Sequence, residues 1–360
     1  MEAKSGNITS KQAFVFIMAA QIGIGILSLP ASLAKIMGHD GWIAVALAGI
    51  LNTIATIIIV SLLRRYKDKS IVQINQLLYG KILGLIFNII FIFYFTFITA
   101  SCFRYFMIII KLLILQTTPS VFLSFCVMTP IAYLVWYGIK PVCRFSSILF
   151  INMLIVLVML ALLYNNIRIT YLMPIGEVEM NSILSGIRLT TFSFLGFELM
   201  AVIYPNITDK DKAMKYAVAA NITTSVFYLL VVVICTAFFG ENLLKMLVIP
   251  LFSLIQAYRT PILDRIDLFF IAFWFPLMGC TVRNNFYCSW DCLCRIINMK
   301  NKKIYFILFT ILLIILSRIP KNFVDANKYV NYSGLLGIGV ILFLVFSYFF
   351  SFINKRGTSK

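Results

Sequence analysis

The sequence predicts an all-α polytopic membrane protein with about ten transmembrane helices. Of its 360 residues, 61% are hydrophobic and only 12% are charged, whereas a soluble domain is about 45–50% apolar and about 25% charged. The apolar residues fall into long runs that match the thickness of a bilayer. Two of these runs are interrupted by glycine at equivalent places along the chain.

Apolar runs of roughly 17–25 residues mark spans, because that is the length a helix needs to cross the hydrocarbon core. The ninth is the shortest, but without it the tenth would run in the wrong direction relative to the flanking charges. In chain order the runs are Lys11–Met37, Trp42–Leu63, Ile82–Ile110, Val121–Gly138, Ser146–Tyr164, Asn181–Tyr204, Ala213–Phe239, Ile262–Cys288, Ile304–Ser317 and Ser333–Ile353.

The distribution of Lys and Arg predicts that both termini lie inside the cell. With this orientation, the inner segments carry about twice as many basic residues as the outer segments. The net charge of +18 would suggest a nucleic-acid partner in a soluble protein. Here the positive-inside rule explains it, so we expect a lipid bilayer and no nucleic acid.

The first and sixth runs are predicted to be broken helices. The first contains Gly23 and Gly25 before Pro30, and the sixth contains Gly196 before Pro205. Glycine lowers helix stability, and proline removes a backbone donor. Because the two breaks are five runs apart, the second half should be inverted relative to the first. We therefore predict one transmembrane domain, 1–360, with inverted 5+5 repeats at roughly 8–164 and 181–353.

The two breaks predict a site for a small ligand. Free N–H and C=O groups are costly in lipid unless something satisfies them, and in an unwound turn they can hold a carboxylate and an amine. The alternative is close helix packing by small residues. Thr96 and Trp274 are further candidates to line the pocket. The predicted ligand-binding residues are Gly23, Ile24, Gly25, Ile26, Tyr94, Thr99, Phe194, Leu195, Gly196 and Phe197.

Glu198 is the most unusual acid in the chain, because it lies in mid-span directly after the Gly196 break. A carboxylate at this depth is costly and therefore usually functional. Three roles remain open at this stage. Glu198 could couple transport to a proton, pair with a ligand ammonium group, or bond to the N–H groups that the break frees.

Four other charged residues lie within or beside the runs. Arg104 and Lys111 are seven residues apart on one face of the third helix, where snorkelling to the interface is the simpler explanation. Arg188 is ten residues from Glu198, which is roughly 15 Å on a straight helix and too far for a direct pair. Asp267, six residues after Pro261, suits a helix start but could also face the core.

The sequence argues against an enzyme, a cofactor and a metal site. His39 is the only histidine, and no paired catalytic motif is present. Most of the eight cysteines lie inside apolar runs, where cysteine behaves as a small hydrophobe. Cys288, Cys292 and Cys294 are clustered, but no second pair of ligands has zinc-site spacing.

Three segments resemble the B subunits of spore germinant receptors, the spore permease family within the amino acid–polyamine–organocation transporters. The segments are Ile8-Thr9-Ser10-Lys11-Gln12 leading into Gln21-Ile22-Gly23-Ile24-Gly25-Ile26-Leu27-Ser28-Leu29-Pro30; Phe194-Leu195-Gly196-Phe197-Glu198; and Asp264-Arg265-Ile266-Asp267 with Phe269, Phe270 and Trp274.

This resemblance implies a LeuT-like fold in the bacterial cytoplasmic membrane, specifically the spore inner membrane. It also implies A-type and C-type receptor subunits as partners, and a small nutrient such as an amino acid or nucleoside as the ligand. Gly23, Gly25, Gly196 and Glu198 match the unwound segments of the family. A nutrient-sensing receptor subunit that triggers germination is therefore the leading hypothesis, with a proton-coupled amino-acid permease as the alternative. The sequence does not name the nutrient.

Overall fold

The computed structural model describes residues 7–162, 167–257, 266–297 and 299–354, and most of this part is α-helical. Its β-structure is limited to one isolated bridge between Ile8 and Ile207. The helices are α1 Ser10–Gln21, α2 Leu29–Met37, α3 Gly41–Arg65, α4 Ile71–Leu113, α5 Ser120–Trp136, α6 Ile139–Ala161, α7 Met180–Phe194, α8 Met200–Ile203, α9 Lys210–Leu244, α10 Pro250–Gln256, α11 Ile266–Ile296, α12 Lys302–Ser317 and α13 Phe323–Ile353.

Every predicted apolar run overlaps a helix of the structure, and the short helix α10 lies outside the predicted runs. Judged by length and composition, six helical stretches of the described part are long and apolar enough to cross a membrane. The bent pair Met180–Phe194 and Phe197–Asn206 would make a seventh. Other helices, such as α1 with 12 residues and α12 with 16 residues, are too short to be counted as spans on length alone. The chain is thus a multi-pass membrane protein, and the count of ten spans stays a prediction.

Three predicted helix starts are wrong, and in each case polar residues hid a helical segment from a hydropathy argument. Helix α6 begins at Ile139 rather than Ser146, and its first turns contain Lys140 and Arg144. Helix α4 begins at Ile71 rather than Ile82, with a capping box at Ser70 and a kink at Gly80, where φ is 81°. Helix α13 begins at Phe323 rather than Ser333. The predicted start of the eighth helix at Ile262 lies outside the described residues, which resume at Ile266.

The interrupted helices lie at the centre of the bundle. Most of α1 and all of α8 are buried. Helix α1 packs against α6, α9 and α11, while α4 packs against α11 and α13, and α3 packs against α7 and α9. Large apolar side chains such as Ile82, Phe122 and Ile353 are exposed on the outside of the bundle, as expected for a surface that faces lipid.

The segment before α1 joins the ends of the two interrupted helices. Thr9 closes a capping box with Gln12 at the start of α1. The Ile8 N–H donates to the Asn206 carbonyl at 2.9 Å, and the Ser10 N–H donates to Asp209 Oδ1 at 2.6 Å. One end of α1 is therefore fixed to the segment that follows the second break.

Candidate functional site

The first break separates α1 from α2. Helix α1 ends at Gln21, a short 3-10 turn spans Gly25–Leu27, and α2 begins at Leu29 with Pro30 in its first turn. Neither Gly23 nor Gly25 has a positive φ. The glycines are therefore needed for space rather than for backbone conformation.

Both glycines allow another helix to come close to the break. A Cβ on Gly23 would lie 2.1 Å from the Oγ1 of Thr281 on α11, and a Cβ on Gly25 would lie 2.8 Å from the Cα of Ser193 on α7. Such distances are far below van der Waals contact. Close helix packing by small residues, the alternative to a ligand site, thus describes these two positions well.

The backbone around the same glycines also has unpaired groups, as expected for an unwound turn. Among the described residues, the N–H groups of Gly23, Ile24 and Gly25 have no acceptor, and the carbonyls of Ala20 and Ile22 have no donor. Buried backbone groups are nearly always paired in native proteins. This group of unpaired donors and acceptors therefore suits a small molecule that carries both hydrogen-bonding types.

The second break lies between α7 and α8. Leu195 is extended, and Gly196 has φ 137°, a conformation that side chains with a Cβ rarely adopt. A Cβ on Gly196 would also lie 3.0 Å from the Cβ of Ala20 on α1. Here glycine is needed both for its conformation and for its size, and the two halves of the helix meet at 48°.

Glu198 bonds across the second break. It is fully buried, Oε1 accepts from the Tyr94 hydroxyl at 2.7 Å, and Oε2 accepts from the Gly196 N–H at 2.7 Å. Within the described part of the chain it forms no ion pair with Lys or Arg. Of the three roles left open, the contacts match the bond to a freed N–H, and proton coupling stays a prediction.

Gln21 at the end of α1 and three polar residues of α9 form a hydrogen-bonded group, here called the clamp, that joins the two breaks and was not predicted from the sequence. Gln21 Nε2 donates to the Phe194 carbonyl at 2.8 Å and to Asn221 Oδ1 at 2.6 Å, and Thr224 Oγ1 donates to Gln21 Oε1 at 2.8 Å. The Tyr228 hydroxyl lies 2.7 Å from the carbonyl oxygen of Gln21, next to the first break. The available signals were the amide side chains of Gln21 and Asn221 inside apolar runs.

A cavity of about 60 Å³ opens beside the first break. Ile24 and Gly25 form one wall, and Tyr105 contributes a buried hydroxyl. The other polar lining residues come from the break, α2, α7 and α13. They are Ser28, Ser32, Ser193, Asn327 and Asn331.

The other predicted site residues do not line this cavity. Tyr94 reaches the second break through Glu198, and Trp274 Nε1 donates to the Gly23 carbonyl at 3.1 Å. Thr99 bonds to the Phe95 carbonyl of its own helix, and Thr96 bonds to Ser289. The remaining predicted positions are buried in or beside the breaks. They are Gly23, Ile26, Phe194, Leu195, Gly196 and Phe197.

The structure also locates the other residues singled out from the sequence. Arg104 and Lys111 line a common groove at the end of α4. Asp267 is buried near the start of α11, whereas Pro261 lies outside the described residues. No group of three His, Cys, Asp or Glu residues with the geometry to hold a metal is found in the described ranges.

Comparison with known proteins identifies relatives over almost the whole length. Residues 7–326 match the spore permease family, described as "Spore germination protein". Spore germination protein B2 of Bacillus subtilis (strain 168) is 26% identical over 99% of this chain and 98% of that protein. Spore germination protein GerQB of Bacillus cereus is 27% identical over 74% of each chain.

One solved structure has the same fold. The crystal structure of MhsT in complex with L-phenylalanine aligns with a TM-score of 0.65 and 14% identity, over 94% of this chain and 89% of that one. MhsT has the LeuT fold, so the predicted LeuT-like, all-helical fold class is confirmed. At this identity the likeness concerns the fold alone.

Proposed function

The chain belongs to the spore permease family of spore germination proteins, and from this premise we propose that it is the nutrient-binding subunit of a spore germinant receptor. The single observation that carries the proposal is the group of unpaired backbone donors and acceptors at the first break, beside a small polar cavity. The proposed ligand is a small nutrient, with an amino acid as the first choice.

The chemistry of an amino acid matches the two kinds of free group. The N–H groups of Ile24 and Gly25 can donate to a carboxylate, and the Asn327 and Asn331 side chains offer amide oxygens to an ammonium group. Ile24 is buried, and Gly25 and Asn327 are partly buried, so a hydrogen bond that a ligand makes to the free backbone N–H groups there replaces an unmet one. A ligand without both functions would leave part of the site unsatisfied.

Binding would act by shifting a two-state equilibrium. The cavity lies between the first break, α7 and α13, so a ligand that contacts all three favours the arrangement in which they are close together. The ligand shifts the equilibrium only by its differential affinity for the two states. The proposed output is a signal to A-type and C-type receptor subunits in the spore inner membrane, with no catalytic step in this chain.

The proposal includes the finer topology predicted from the sequence, with ten spans, a 5+5 inverted repeat and both termini inside. The positions of the two breaks, in the first and sixth runs, support it. The charge distribution supports the orientation.

A proton-coupled amino-acid permease is the second candidate, and Glu198 is the observation that favours it. It is a fully buried carboxylate without an ion pair in the described ranges, directly after a helix break. Such a group can take up and release a proton as the break moves. The two candidates share the binding site and differ in whether the ligand crosses the membrane.

The test combines germination and uptake. Spores carrying the wild-type chain, Asn331→Leu or the matched control Asn181→Leu are exposed to a panel of amino acids and nucleosides. The proposal predicts that germination by one or two nutrients is lost with Asn331→Leu, which fills the cavity, and kept with Asn181→Leu, which alters an exposed position on α7.

Uptake of the same nutrient into proteoliposomes then separates the two candidates. A receptor subunit is expected to bind without net uptake, whereas a permease accumulates the nutrient when a proton gradient is applied. Germination that is unchanged by Asn331→Leu would refute the proposed site.

A further inference from the structure

A second cavity, separate from the break, lies where α4 ends and α13 begins. It is a groove of about 370 Å³. The opposite ends of these helices lie together, since Asn354 after α13 donates to the Leu78 carbonyl near the start of α4. Lys210 contacts Asp68 at that same end, close to the Ser10–Asp209 bond. The groove is therefore at the end of the bundle farthest from residues 7–10.

The groove is basic. Arg104, Lys111 and Lys321 line it, and none of the described residues that line it is acidic. None of these three cations forms an ion pair with an acid in the described part of the chain. Arg318 adds a fourth positive charge close to Arg104. Four cations held together without an acid repel one another, and an anion would relieve that repulsion.

Arg104 has a free hydrogen-bond donor in this groove. Its Nη2 donates to the Lys321 carbonyl at 2.7 Å, which holds the guanidinium in place. Its Nε is buried and has no acceptor in the described ranges. Lys111 Nζ contacts only the Ser120 hydroxyl, at 3.2 Å. Arginine and lysine with unused N–H donors are the groups that bind phosphate oxygens.

Two helix N-termini add to the positive potential. Helix α5 begins at Ser120, and α13 begins at Phe323 after its N-cap Asn322, and all three residues line the groove. The first N–H groups of a helix and its dipole favour an anion. The nearest acid on α13 is Asp325, which pairs with Lys328 at 3.8 Å and does not line the groove.

The surroundings of the groove are apolar and face outward. Its walls include Met107, Ile108 and Leu123. Leu112 is 50% exposed, and Phe122 is 63% exposed, on the outer surface beside it. A basic groove that continues into an exposed apolar surface matches an anion attached to a hydrocarbon chain, rather than a small anion free in water.

We propose that the groove formed by Arg104, Lys111, Lys321 and the N-termini of α5 and α13 binds the phosphate headgroup of an anionic lipid. The acyl chains would lie along the exposed apolar face beside Leu112 and Phe122. This site is distinct from the cavity at the first break, and the proposal does not depend on the nutrient-sensing function.

The test is equilibrium binding of phosphatidylglycerol and phosphatidylcholine to the purified full chain in detergent, measured by native mass spectrometry. The test variant is Lys111→Gln with Lys321→Gln. The matched control is Lys300→Gln with Lys303→Gln, which removes two exposed charges in the α11–α12 region. A basic residue near an anionic headgroup contributes ~1 kcal/mol, so the test variant should bind phosphatidylglycerol about 30-fold more weakly, which corresponds to ~2 kcal/mol.

The proposal expects unchanged phosphatidylglycerol binding in the control and unchanged phosphatidylcholine binding in all proteins. Equal phosphatidylglycerol binding by the test variant and the control would overturn it. Displacement of the lipid by an equal concentration of inorganic phosphate would also overturn it, because the site would then take a free anion. If the test variant does not fold, the wild-type chain is crosslinked to a photoreactive phosphatidylglycerol and the crosslinked residues are identified. Crosslinks at residues 104–123 support the proposal, and crosslinks only elsewhere refute it.

Discussion

Replacing Glu198 distinguishes a structural bond from a role that needs the carboxylate charge. Glu198 accepts two hydrogen bonds, from the Tyr94 hydroxyl and the Gly196 N–H, both at 2.7 Å in a fully buried position. Glu198→Gln keeps the shape and can keep both contacts. Its Oε1 accepts from Gly196, and its Nε2 donates to the Tyr94 oxygen. The Tyr94 hydroxyl proton and the second Nε2 proton then lack acceptors.

The expected stability losses follow from the number of buried groups left unpaired. One orphaned polar group costs about 1–3 kcal/mol, so Glu198→Gln should lower the free energy of unfolding by ~1–2 kcal/mol. Glu198→Ala leaves both the Tyr94 hydroxyl and the Gly196 N–H unpaired and opens a cavity, for about 3–6 kcal/mol in total. Tyr94→Phe should cost ~1.5–3 kcal/mol, because one bond to a carboxylate is lost.

The assay is equilibrium unfolding of the purified chain in mixed detergent micelles. The double variant Tyr94→Phe, Glu198→Gln is measured as well, which completes a double-mutant cycle. Tyr94→Phe removes the hydroxyl proton that Glu198→Gln would orphan and already deprives the carboxylate of that donor, so the glutamine substitution should cost less in that background than in the wild type. If Glu198→Gln destabilises the chain as much as Glu198→Ala, the structural explanation is wrong and the charge itself is required.

Three further perturbations test other contacts of the site. Gly196→Ala should destabilise the chain by ~1–3 kcal/mol in the same unfolding assay, because φ is 137° and the new Cβ would lie 3.0 Å from Ala20. Asn221→Leu should cost ~2–4 kcal/mol, because it removes an acceptor of Gln21 from the clamp. Desolvation raises the pKa of the Asp209 carboxyl group. Hydrogen bonds from Ser10 at the start of α1 outweigh this effect, so the pKa of Asp209 is below its ordinary value. The stabilisation is therefore present above about pH 4 and lost as pH falls through the lowered pKa, so Asp209→Asn should show a smaller drop in melting temperature between pH 6 and pH 3 than the wild type.

The breaks were predictable because their signals are local. Gly196 has a backbone conformation that favours glycine, and glycine followed by proline within one apolar run marks an interruption. The position of the first break could be predicted, but the reason that it requires glycine could not. Gly23 and Gly25 are needed because Thr281 and Ser193 approach them, and such contacts between distant segments leave no local pattern.

The clamp and the cavity could not be predicted for the same reason. Gln21 and Asn221 are 200 positions apart in the chain, and only the packing of α1 against α9 brings them together. Tyr105, Asn327 and Asn331 line the cavity because α4 and α13 converge there. Polar side chains within apolar runs signal that some partner exists, but the sequence does not say which one.

The fold class was predictable from composition, while helix boundaries were not. Hydropathy located the long helices but missed the seven-residue α10, and the amphipathic start of α4 and the polar start of α13 were assigned to loops. In both cases a capping side chain begins the helix before the apolar residues do. At α13 this is Asn322, whose side chain accepts from the Asp325 N–H at 2.8 Å.

The most direct test of the central claim is the thermal stability of the purified chain against a panel of amino acids and nucleosides, with Asn331→Leu and Asn181→Leu measured in parallel. A ligand at 100 times its Kd stabilises the folded chain by ~2.7 kcal/mol. We expect one or two nutrients to raise the melting temperature of the wild type and of Asn181→Leu, and to leave that of Asn331→Leu unchanged. A shift that persists in Asn331→Leu, or no shift with any nutrient, would contradict a nutrient site at the first break.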